Sequence, residues 1–206
     1  MLRSAFWRLV EAIGGEGLAF VVFVIMARML LPESFGLVAL AAAVVSGVQV
    51  ILYLGFAEAV IQGRHADDRR LSTAFWWSLS AGLIVAAVLV ALALPLALLF
   101  DKQGLAPILA TLAIMLPISG AATVFQAKLV RRMAFRAVAL RSLAATGVGG
   151  AVGLIAALSG AEAYALVAQQ LCGTIAALVV LLIAEPWRPR LVVDADESRS
   201  LIRFAL

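Results

Sequence analysis

Long apolar runs separated by short polar links recur from one end of the chain to the other. Six runs are long enough to cross a bilayer: about Ala12–Leu31, Leu37–Ile61, Ala74–Phe100, Leu105–Val130, Val138–Leu158 and Ala163–Ala184. A helix rises 1.5 Å per residue, so roughly 20 apolar residues span a hydrocarbon core about 30 Å thick. The pattern predicts an all-α integral membrane protein, a six-transmembrane-helix bundle that occupies residues 1–206 as a single unit. Residues 185–206 read as a link followed by the start of a seventh span, because Leu201–Leu206 is apolar again and follows Arg-Ser, as Ala5–Trp7 does.

The links carry their own signals. Pro32 stops the first run, since proline has no N–H to donate and biases the residue before it away from helix. Ser72 or Thr73 is the expected N-cap of the third helix. Pro95 falls in its last turns, Pro107 suits the first turn of the fourth helix, and Pro117 in mid-span predicts a kink. Gly149 and Gly153 form a GxxxG pair, which lets membrane helices approach closely. Ser4–Val10 reads as a short amphipathic segment at the interface.

Composition sharpens the class. The chain is 65% hydrophobic and 14% charged, against about 25% charged residues in a soluble domain. A net charge of +4 does not point to nucleic acid, because the cations are parcelled into particular links. With six spans, every Lys and Arg except Arg28 and Lys102 falls on the side that holds both termini. The positive-inside rule places that side in the cytoplasm. Trp7, Trp76, Trp77 and Trp187 fall at the same interface. The expectation is a multi-pass protein of the plasma (inner) membrane with cytoplasmic termini.

No enzymatic constellation is present. One histidine and one cysteine make neither a metal site nor a disulfide, and there is no phosphate loop and no HExxH. Neither catalysis nor a cofactor is expected. The informative groups are ionisable and amide side chains inside spans, which usually face a cavity or a partner. Glu16 and Glu58 sit at similar depth on adjacent antiparallel helices. Gln62 shares a face with Glu58 at i+4, and Gln126 lies near the same end of the fourth span. These four could ring a polar vestibule; alternatively Glu58 and Gln62 are interfacial residues of a helix that ends earlier. Arg28 lies near the outer end of the first span, where it lines a cavity or snorkels to headgroups. Gln169 and Gln170 read as ligands or as helix–helix glue. Lys128, Arg131 and Arg132 open the most basic stretch, which is a topology signal or a binding face for anionic headgroups.

Four stretches in register carry a family resemblance: Ala27–Leu40 (ARMLLPESFGLVAL), Leu54–Gln62 (LGFAEAVIQ), Phe125–Arg136 (FQAKLVRRMAFR) and Ala163–Gln170 (AYALVAQQ). Together they resemble the polysaccharide flippases of the multidrug/oligosaccharidyl-lipid/polysaccharide exporter superfamily. The resemblance implies two six-helix bundles around a central cavity, so that this chain corresponds to the N-terminal half of a transporter with twelve or more helices. It further implies the flipping of lipid-linked oligosaccharide or polysaccharide units by alternating access, in the biosynthesis of surface polysaccharides such as lipopolysaccharide or exopolysaccharide. Glu16, Arg28, Glu58, Gln62 and Gln126 are then the substrate-cavity candidates, and Lys128, Arg131 and Arg132 the headgroup-binding candidates. The expected partners are membrane lipid, a lipid-linked glycan, a glycan polymerase or glycosyltransferases, and a missing C-terminal half or second copy. A drug or cation exporter of the same superfamily and a non-transporting scaffold of a glycan assembly complex are the alternatives.

Overall fold

A computed structural model describes residues 14–62 and 68–190, with side chains except at 51, 53–62 and 70. The amphipathic segment at Ser4–Val10, most of the link after Gln62 and the start of the seventh span lie outside the described residues. The described residues form seven helices: α1 Gly15–Met29, α2 Pro32–Gln62, α3 Asp68–Leu99, α4 Leu105–Ala113, α5 Met115–Arg131, α6 Phe135–Leu158 and α7 Ala163–Ala184. There is no strand among them. Helices α2, α3, α6 and α7, and α4 with α5 taken together, contain stretches long and apolar enough to cross a membrane. The chain is an α-helical multi-pass membrane bundle.

Several helices run past the apolar stretches that announce them. α3 starts at Asp68 within the polar link, and its acidic first residue complements the partial positive charge of a helix N-terminus. Ser72 and Thr73 are therefore not caps, contrary to the expectation. Their hydroxyls donate back to the carbonyls of Asp68 (2.7 Å) and Arg69 (3.0 Å), one turn earlier in the same helix. At 31 and 32 residues, α2 and α3 are each about 47 Å long at 1.5 Å per residue. Pro32 is the first residue of α2, where its missing donor costs nothing.

The fourth span is two helices. The break at Ile114 follows Ala113, whose carbonyl would otherwise accept from position 117. Pro117 has no N–H there and its ring clashes with that carbonyl. Just outside the break, Gln49 Nε2 of α2 donates to Ser119 Oγ of α5.

The tightest packing joins α6 to α7. A Cβ on Gly149 would stand 2.5 Å from the Gln169 carbonyl oxygen, one on Gly153 2.8 Å from Gln169 Cβ, and one on Gly173 2.8 Å from the Ala145 carbonyl oxygen. The GxxxG pair thus packs helices of one chain. Gly150, turned about 100° from Gly149, meets Val22 of α1 instead at 2.7 Å. Outward faces are apolar as well: Leu98, Leu99 and Ile183 are each over 70% exposed, as a helix that is apolar all round requires of a lipid-facing surface.

Two apolar cores result. The larger joins Met26, Val38, Ala41, Leu109, Leu112, Leu116 and Ala165 from α1, α2, α4, α5 and α7, with contributions from α3 and α6. The smaller joins Leu71, Ala74 and Phe75 of α3 with Val124, Phe125 and Leu129 of α5, Val138 of α6 and Leu181 of α7.

Candidate functional site

The alternation of helices gathers the turns after α1, α3 and α6 at one end of the bundle. The turn after α5 and the chain leaving α7 gather at the other. The second end is basic: Lys128, Arg131, Arg132, Arg136, Arg188 and Arg190 lie there.

At the basic end the helix α5 closes with the backbone pattern of a Schellman motif. Ala134 N–H bonds to Leu129 C=O and Met133 N–H to Val130 C=O, with Met133 in the left-handed region at φ 52°. This turn projects Lys128 and Arg132 toward the end of α7. There Glu185, 2% exposed, accepts from Lys128 Nζ at 3.0 Å through Oε1 and from Arg132 at 2.9 Å through Oε2. A carboxylate this deeply buried is tenable only when paired and hydrogen-bonded. Lys128 also sits 4.6 Å from the centroid of the Trp187 ring. That ring lies edge-on to Phe125 at 5.5 Å and to Phe75 at 6.4 Å. Three residues on, the chain is fixed to α3: Arg190 N–H donates to Ser72 Oγ at 3.1 Å, and Arg190 C=O accepts from Trp76 Nε1 at 2.9 Å.

The headgroup candidates are thereby separated. The Lys128 side chain is 11% exposed and its charge is turned inward onto Glu185. Arg132 shares that carboxylate, yet its side chain is 62% exposed. Arg131 is exposed. Glu185 was not singled out by the sequence. A lone acid before Pro186, beside a basic stretch more than fifty residues earlier, gives no local signal of a pairing across the bundle.

The cavity candidates are spread out. Glu16 is exposed in the first turn of α1 and Arg28 is exposed in its last turn, roughly 18 Å apart along the axis. Gln126 is half-buried on α5. Among the described residues no hydrogen bond joins any two of these three. Glu58 and Gln62 lie on α2, and their side chains are outside the described residues. Gln169 packs against Gly153, which is the position of helix–helix glue.

The opposite end holds an open cleft of about 460 Å³, lined by Glu33, Ser34, Leu37, Asp101, Lys102, Gln103 and Glu162 among others. Its walls are the three short turns. Those after α3 and α6 repeat the Schellman pattern, with Lys102 N–H on Ala97 C=O and Ala161 N–H on Ala156 C=O and with Asp101 (φ 51°) and Gly160 (φ 80°) left-handed. Among the described residues no group of three or more His, Cys, Asp or Glu could hold a metal ion.

Comparison with known proteins adds to this geometry. Residues 25–206 match a family described as polysaccharide biosynthesis protein. The chain is 31% identical over 203 residues to the succinoglycan biosynthesis transport protein ExoT of Rhizobium meliloti (strain 1021). That match covers 98% of this chain and 41% of the relative, so the chain spans less than half the length of the curated relative it matches. No solved structure matches.

Proposed function

We propose that this chain, which belongs to the polysaccharide biosynthesis protein family, forms the N-terminal bundle of a transporter that flips lipid-linked oligosaccharide or polysaccharide units across the cytoplasmic membrane by alternating access. The observation that carries the reading is the likeness over 98% of the chain to a protein named for succinoglycan transport, in a chain folded as a multi-pass helical bundle. The relative's name points to transport rather than to an enzyme, and the family's description places it in polysaccharide biosynthesis. A bundle matching 41% of a longer relative supports a cavity completed by a second bundle.

The basic end faces the cytoplasm in this reading, since the positive-inside rule draws Lys and Arg to that side. Arg131 and Arg132, exposed there, meet the anionic headgroup of the arriving substrate, and Lys128 holds the turn that presents them. Glu16, Arg28, Glu58, Gln62 and Gln126 line the path. The helix break at Ile114, set by Pro117, supports a span able to flex there.

The test is reconstitution of the full-length protein in vesicles carrying a lipid-linked oligosaccharide in one leaflet, with appearance of the glycan in the other as the readout. Protein-dependent appearance, lowered at least tenfold by Arg131→Ala with Arg132→Ala, is expected. Vesicles with and without protein that show the same rate would refute the reading.

A further inference from the structure

Glu185 to Arg190 cross from the end of α7 over α5 to α3, and they are held at three successive points of different chemistry. Glu185 is gripped by two cations of α5, Trp187 is set among the rings of Phe75 and Phe125, and Arg190 is bonded through both backbone groups to α3. A link that merely spans a distance needs no buried carboxylate with two partners and no indole in a core. The three helices so joined also share the smaller apolar core, to which neither α1 nor α2 contributes among the described residues.

We infer that residues 185–190 are a clasp that locks the basic ends of α3, α5 and α7 into one rigid unit, and that it stays shut whenever the protein changes conformation. The clasp hands the chain on beside Ser72 of α3, not at the end of α7. Any opening at the basic end occurs beside this unit and not through it. The last consequence rests on the transport reading above; the clasp itself does not.

The test uses the full-length protein with Cys172→Ser and a cysteine pair, Ser72→Cys with Arg190→Cys, in membranes. The disulfide is expected to form under mild oxidation in most of the protein. The oxidised protein is expected to move substrate within twofold of its reduced form. Absence of the disulfide, or transport that returns only on reduction, overturns the clasp as a permanently shut element. A second measurement needs no transport. Trypsin does not cut before proline, so Arg188 is resistant and Arg190 is the cleavable site of the segment. In the otherwise unaltered full-length protein Glu185→Gln should speed cleavage after Arg190 at least tenfold. Equal cleavage rates with and without Glu185→Gln would show that the carboxylate holds nothing. Cleavage data that fit beside absent transport would defeat the functional reading while leaving the clasp intact.

Discussion

The two ends of the bundle solve the same problem, closing helices against one another, by different means. At the opposite end the backbone does it. Turns of five and four residues close on left-handed caps at Asp101 and Gly160, and an open cleft runs beside them. At the basic end side chains do it: a carboxylate, two cations and a cage of aromatic rings tie the exit of α7 to α5 and α3. Backbone closure is local and survives almost any substitution that keeps the cap. Side-chain closure is long-range, so each member is exposed to the loss of its partners. One end should thus tolerate mutation and the other should not.

The largest effect expected is from Glu185→Ala. Removing one partner of a buried ion pair costs 3–5 kcal/mol, because the other charges are left uncompensated. Arg132 can turn to water, so the loss should lie near the lower end, about 3 kcal/mol, read as reduced resistance of the full-length protein to denaturant in micelles. A loss below about 1 kcal/mol would mean that the ion pairs do not distinguish the two ends.

Next comes the contact that both ends depend on. Gly149→Ala inserts a methyl 2.5 Å from the Gln169 carbonyl oxygen, where only a shift of backbone can admit it. Overpacking of this kind costs about 1–3 kcal/mol. Gly147→Ala, whose nearest neighbour is Leu18 Cδ2 at 3.9 Å, is the matched control and should be silent. Equal thermal stability of the two variants would contradict the packing of α6 on α7.

Smaller still, and of opposite sign, is the exchange of a left-handed residue for glycine. Met133 is 74% exposed at φ 52°, so Met133→Gly removes a steric penalty and no packing. A gain of about 0.5–1 kcal/mol follows once the extra entropy of glycine in the unfolded chain is allowed for. Asp101→Gly should gain less, since aspartate visits this conformation more readily. Backbone caps would then behave alike at both ends, which leaves the side-chain cluster as the difference. The smallest effect is expected from Lys102→Ala at the open cleft: below about 0.5 kcal/mol, the usual range for an exposed surface position.

The chain's order of apolar runs and polar links determined that it is a helical membrane bundle, because each run must satisfy its own backbone within lipid, and helices do so without regard to neighbours. The sequence also determined where the chain turns and where it breaks. Pro117 removes one donor at one place, and the break at Ile114 follows from it. The exclusion of Ser72 and Thr73 from the N-cap shows the limit of local rules: apolar content marks the edge of the membrane, not the edge of the helix. Only the tertiary structure decided which face of α6 meets α7 and which meets α1, since Gly149 and Gly150 look alike in sequence and differ by a rotation of the helix. It alone decided that Glu185 finds Lys128 and Arg132. Pairing across fifty residues depends on which helix ends are adjacent, and adjacency is set by packing among surfaces that are all apolar. For the same reason Glu16, Arg28 and Gln126, each an unusual residue within a span, were legible as individuals but not as a group.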